Sequence, residues 1–150
     1  MKIEDEIKQS KFTSAQQKAS LNIIYTSGWL AALHKNFFKE YGITGQQFNI
    51  LRILRGQHPA KISGTEIRSR MLDQNSDVSR LLDRLIAKKL ILKSQCQNDK
   101  RAADVQITDK GLHLLSTIDG KLESVDGFVK NLTVREANQL SDLLDKSRGG

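Results

Sequence analysis

The sequence predicts a mainly α-helical fold with one small β-hairpin, and three observations carry that prediction. The 150 residues contain a single Pro and 5% aromatics, which argues against a loop-rich β-sandwich. Three segments place a hydroxyl residue three positions before Glu or Gln: Thr44…Gln47, Ser63…Glu66 and Thr133…Glu136. That spacing is the capping box of a helix start, in which the two side chains satisfy each other's backbone N–H groups. Ala103-Asp104-Val105-Gln106-Ile107 alternates apolar and polar residues at period two, as a strand does. The length fits one domain with one core, 1–150.

Taken in order, the first helix is expected from about Ser14 to Tyr41, ending at Gly42, a residue suited to a left-handed C-cap. Leu30, Leu33, Phe37 and Tyr41 form one stripe along it, widened by Leu21, Ile24 and Trp29. A second helix spans roughly Gly45–Gly56, with Phe48, Leu51 and Leu54 inward and His58-Pro59 ending it. Ile43 with Phe48, and Ile62 with Ile67, are placed as hydrophobic staples. Lys61-Ile62 leaves room for a stub of strand before a third helix, Gly64 to Leu72. The polar turn Asp73-Gln74-Asn75 then leads into a fourth helix of about 76–88, and two short helices so joined spell helix-turn-helix.

Leu90–Cys96 and Ala103–Ile107 flank the charged tip Gln97-Asn98-Asp99-Lys100-Arg101, predicting a hairpin. Thr108 caps a long fifth helix on which Leu115, Ile118, Leu122, Val125, Val129 and Leu132 are spaced 3, 4, 3, 4, 3. Such an a/d seam serves a helix packed lengthwise on a partner; the alternative is an ordinary intrachain core stripe. We favour a subunit interface, because so long a helix at the end of a small domain has little of its own chain to cover it. The last helix, about Val134–Lys146, offers Leu140, Leu143 and Leu144 to the same layer.

The net charge of +7 is unevenly placed. Residues 61–101 hold ten Lys/Arg against five Asp/Glu, whereas 112–150 hold five against six. A polyanion-binding middle and a neutral assembly end is the simplest reading. No apolar run reaches the ~18 residues of a membrane span, and Met1–Glu6 is acidic with no signal-peptide core. A soluble, cytoplasmic protein is expected. A lone cysteine, Cys96, makes neither an internal disulfide nor a multi-thiolate zinc site; on its predicted strand it reads as packing rather than as a redox switch. His34, His58 and His113 fall on three different elements, and no metal motif, phosphate loop or nucleophile constellation is present. No enzyme, cofactor or metal is expected.

On a helical wheel, Val78, Leu81, Leu82, Leu85 and Ile86 share one face of the fourth helix. Opposite lie Ser76, Arg80, Asp83, Arg84 and Ala87, with Gln74, Asn75 and Ser79 near the start. These types hydrogen-bond base edges from a helix in the DNA major groove, although a solvated helix with ordinary surface ion pairs looks the same in isolation. Arg101 at the hairpin tip is suited to the minor groove, where negative potential is focused. Asp99 can hold its guanidinium, and Lys93 and Lys100 can add phosphate contacts. A tip charged only because turns face water is the bland alternative.

The segment from Asn98 to Gly111, with Asp99-Lys100-Arg101, a short strand and Ile107-Thr108-Asp109-Lys110-Gly111, resembles the wing of the MarR (multiple antibiotic resistance regulator) family. The family pattern is Asp-x-Arg, a strand, then Leu-Thr-x-x-Gly, with Ile107 here in the Leu place. Ser79-Arg80-Leu81-Leu82-Asp83-Arg84-Leu85 resembles its recognition helix. The resemblance implies a winged helix-turn-helix transcription regulator with an N-/C-terminal helical dimerisation layer (14–41 and 112–146) and a DNA-binding lobe (44–107). It implies a homodimer on double-stranded DNA, with helix 76–88 in the major groove and wing 97–102 in the minor groove. Ser63, Thr65, Gln74, Asn75, Ser76, Ser79, Arg80, Arg84, Lys93, Asp99, Lys100 and Arg101 are the expected contacts. Many relatives bind small aromatic ligands between layer and lobe, which points to Trp29, His34, Phe37 and Phe38. Repression released by such a ligand is the expected mode, with protein or RNA docking as the alternative. The sequence departs from the family at Lys89, where Gly is usual, and at Lys93, where Arg is common.

Overall fold

The computed structural model describes residues 1–95 and 103–150, with Val129 described by its backbone alone. A short helix α1 (Ile3–Glu6) precedes the long α2 (Ala15–Lys39). Ser14 caps α2 by accepting from the Gln17 N–H, and Gly42 takes φ +69 just beyond its end. α3 (Gly45–Gln57) opens with the complete Thr44–Gln47 capping box. A two-residue strand β1 (Ile62–Ser63) runs into α4 (Gly64–Arg70), and α5 (Val78–Ala87) follows the turn. At α4 the box is half made: Ser63 accepts from the Glu66 N–H, while the Glu66 carboxylate turns to Arg70 at 3.2 Å.

β2 (Ile91–Gln95) and β3 (Ala103–Ile107) form the expected hairpin, and β1 adds to the far edge of β3. All pairing is antiparallel, with Ile91 opposite Ile107 and Ile62 opposite Val105. The sheet closes over α3, α4 and α5, whose inward residues Ile50, Leu51, Leu54, Ile67 and Leu85 are all at or below 1% exposure. Leu115 and Ile118 of the next helix complete this core.

α2 ends at Lys39 rather than Tyr41 and α4 at Arg70 rather than Leu72, and two later helices also differ from expectation. The fourth helix begins at Val78 rather than 76, because Asp77 is its cap and accepts from the Arg80 N–H. The fifth helix is not continuous: it divides into α6 (Asp109–Ile118), α7 (Lys121–Val125) and α8 (Gly127–Asn131). Asp119 turns extended, and Gly120 takes φ +78, a left-handed value that glycine adopts without a Cβ clash. Asp126 leaves the helix in turn and accepts from the Phe128 N–H at 2.8 Å, starting α8. A Cβ at Gly127 would lie 2.6 Å from the Trp29 ring, so this break also makes room for that indole. The six-residue seam therefore does not form one straight stripe. Leu115 and Ile118 belong to the lobe's own core, whereas Val125 is 38% exposed.

α9 (Val134–Ser147) starts with the complete Thr133–Glu136 box and buries none of its residues. No helix among the described residues is long and apolar enough to cross a membrane.

Candidate nucleic-acid interface

α5 presents the site. Val78, Leu81, Leu82 and Leu85 are buried against the lobe, which forces Ser79, Arg80, Asp83 and Arg84 outward into solvent. Arg80 is 3.9 Å from Asp77 and both side chains stay mostly exposed, so the pair is loose. Arg84 has no partner among the described residues. Thr65 stands exposed in the first turn of α4; Ser63 is half-buried, with its hydroxyl committed to the cap. Gln74 and Asn75 are exposed on the turn, although the Gln74 amide donates to the Met71 carbonyl at 2.6 Å. Lys93 projects from β2, opposite Val105. Cys96, Asp99, Lys100 and Arg101 lie outside the described residues.

Ser76 does not share this face. It is 4% exposed, and its hydroxyl accepts from Gln46 Nε2 of α3 at 3.3 Å. Preceding the cap rather than following it, Ser76 points into the lobe instead of along the helix's outer side.

α5 ends as a glycine-capped helix would, despite its lysine. Lys89 adopts φ +61, its N–H donates to the Ile86 carbonyl, and the Leu90 N–H reaches back to Leu85. This is a Schellman closure, with Leu85 and Leu90 both buried beside it. The Thr108 hydroxyl donates to the Lys89 carbonyl at 2.8 Å and the Thr108 N–H to that of Leu90, pinning the helix end to the start of α6. Gly111 is required there: a Cβ would stand 2.4 Å from the Leu90 carbonyl oxygen.

The expected ligand residues separate. Trp29 and Phe37 line an open cleft of about 730 Å³ between α2 and α7, with Leu33, Tyr41, Lys121 and Val125. Phe38 instead is 1% exposed and packs in the core, 4.6 Å from the Phe48 ring centroid. His34 lies one helical step off the cleft, edge-on to Phe38. Its Nε2 is buried without a hydrogen-bond partner among the described residues, 4.0 Å from Asp126 Oδ2. No cluster of three metal-ligating side chains occurs among the described residues.

The arrangement of helix-turn-helix, three-stranded sheet and hairpin has close counterparts. The sequence profile of the MarR family matches residues 43–103, which spans α3 to the start of β3. Over that segment the chain matches the MarR family. A MarR transcription factor from Planctomyces limnophilus superposes with a TM-score of 0.69 at 28% identity, over 93% of this chain and 100% of that one. A mutant MarR from E. coli, solved with operator DNA, gives 0.74 at 25% identity, over 92% and 99%. Among curated proteins, the HTH-type transcriptional regulator PecS of Dickeya dadantii (strain 3937) is 26% identical across 73% of this chain and 67% of its own length.

In this chain, sequence reasoning missed two side chains that bear on α5. Gln46 and Asn49, both on α3, bond to the turn before α5. Neither belongs to a motif, and only the long-range fold brings them there. The helix-breaking Asp119-Gly120 and Asp126-Gly127 pairs, by contrast, were visible as turn dipeptides.

Proposed function

We propose that this regulator binds a pseudo-palindromic operator as a homodimer and represses transcription in the cytoplasm. The observation that carries the reading is the division of α5, where four buried apolar residues hold Ser79, Arg80 and Arg84 outward on a polar, close-approach face. In this reading α5 enters the major groove, Thr65, Gln74 and Asn75 flank it, and Lys93 with Lys100 meets phosphate. Arg101 of the wing, held by Asp99, enters the minor groove.

The second copy is supported by apolar surface left bare on the helical layer. Ile23, Ile24 and Trp29 of α2 and Leu143 of α9 are all more than 40% exposed. Paired across a two-fold axis, two lobes place their recognition helices on half-sites about one helical turn apart, roughly 34–36 Å. A small aromatic effector in the α2–α7 cleft would release DNA by favouring a dimer whose recognition helices are wrongly spaced. No catalytic step is assigned.

Fluorescence-anisotropy titration against a randomised duplex pool, at two salt concentrations, tests the reading. The expected result is tight binding to a selected pseudo-palindrome, falling steeply with salt, and weakened by Arg84→Ala or Arg101→Ala at unchanged melting temperature. Binding that is weak and indifferent to sequence would refute it in favour of a protein-docking or RNA-binding winged helix.

A further inference from the structure

The turn between α4 and α5 is fastened at both ends by side chains of α3. Gln46 Nε2 donates to Asp73 Oδ2 at 3.1 Å and to the Ser76 hydroxyl at 3.3 Å. Asn49 Oδ1 accepts from the Leu72 N–H at 2.9 Å. Inside the turn, Asp73 Oδ1 accepts from the Asn75 N–H at 2.9 Å, and the Ser76 N–H donates to the Asp73 carbonyl at 3.2 Å. Asp77, next in the chain, caps α5. A continuous run of hydrogen bonds therefore joins the first two turns of α3 to the first turn of the recognition helix.

We propose that Gln46 and Asn49 are positioning residues that determine operator specificity, acting through this turn and touching no DNA themselves. The inference rests on the operator-binding reading above and deepens it. Base-edge hydrogen bonds demand donor–acceptor distances within a few tenths of an ångström. Phosphate contacts from long Arg and Lys side chains tolerate larger shifts and carry no sequence information. A slackened turn thus costs discrimination between duplexes more than it costs affinity for DNA in general. Ser76 makes the joint stiff. Being buried, its hydroxyl has no ready exchange of Gln46 for water.

The Gln46–Asp73 bond can be broken and remade by charge. In Gln46→Glu, two carboxylates face each other and the bond is lost. In the Gln46→Glu/Asp73→Asn double variant the amide sits on the other side: Asn at 73 donates to Glu at 46, while its carbonyl still accepts from the Asn75 N–H. The full-length chain is titrated with the duplex that the wild type selects from a randomised pool, and with a scrambled duplex of equal length. Gln46→Glu is expected to lower the ratio of the two affinities by about tenfold or more, one good base contact's worth. Its slope against log salt should stay near the wild-type value, since no phosphate contact is removed, and repulsion from the added carboxylate falls on both duplexes alike, leaving the ratio to report the turn. The double variant should recover the ratio.

Retention of the full ratio by Gln46→Glu would overturn the proposal, as would failure of the double variant to restore a lost one. Circular dichroism and sedimentation accompany each titration. If Gln46→Glu does not fold, Asn49→Ala reads the same ratio through the other end of the turn. A wild type with no preferred duplex would sink the operator reading itself, a result distinct from either.

Discussion

The winged-helix lobe and the helical layer differ in how much of their apolar surface the chain itself covers. Every residue of the continuous buried core falls between Phe38 and Ile118. α2 contributes only Phe38 to it, and α7 and α9 contribute nothing fully buried. The lobe is a finished object, with sheet, three helices and α6 around one core. The layer's helices leave Ile23, Ile24, Trp29 and Leu143 exposed, the kind of surface a second subunit can cover.

The largest effect should come from breaking the lobe. Gly111→Ala drives a methyl into the Leu90 carbonyl and the Ile107 side chain, at a cost of about 3 kcal/mol. Denaturant melts should show that loss equally at low and high protein concentration. Breaking the layer should look different. Leu143→Asp, at an exposed apolar position of α9, should weaken self-association by about 2 kcal/mol per protomer, read by sedimentation, while the lobe's circular dichroism stays intact. A Leu143→Asp chain that unfolds as Gly111→Ala does would erase the distinction between the two regions.

Smaller changes sharpen it. Lys89→Gly removes the left-handed strain at the end of the recognition helix and should stabilise the lobe by about 1 kcal/mol, visible as a higher denaturant midpoint at unchanged slope. The smallest effect concerns pH. The Glu136 carboxyl is held below its ordinary value of 4.5 by hydrogen bonds from the Thr133 backbone N–H and then its hydroxyl. A depressed folded-state pKa means the cap's contribution is fully present above pH 4.5 and lost as pH falls through the lowered value. Acid titration of α9 helicity should show that loss in the wild type and not in Glu136→Gln.

The lobe was legible in the sequence because its signals are local. Thr44 with Gln47, Ser63 with Glu66, and the alternation at 103–107 each act within a few residues, and the structure forms all three elements. Thr133 with Glu136 likewise fixes the start of α9. The fifth helix was misread because a 3, 4, 3, 4, 3 spacing of apolar residues persists when the chain bends between them. The bends themselves sit at Asp119-Gly120 and Asp126-Gly127. Arg55 of α3 secures the first, its Nη1 bonding both Asp119 carboxylate oxygens at 3.0 and 2.9 Å. Ser76 was assigned to the exposed face for a similar reason: the wheel shows angle but not the partner on α3, 30 residues away, that draws the hydroxyl inward. Phe38 reads as a pocket aromatic beside Phe37 until the lobe's core claims it.

If the bare faces of the layer close on a second copy, two α5 helices are set on one duplex. Sedimentation equilibrium of the chain with its selected duplex tests it most directly. Two protomers per duplex are expected, with Leu143→Asp shifting the complex toward one protomer and weaker binding. A single protomer bound as tightly as the wild-type complex, with the free chain monomeric at the same concentration, would contradict it.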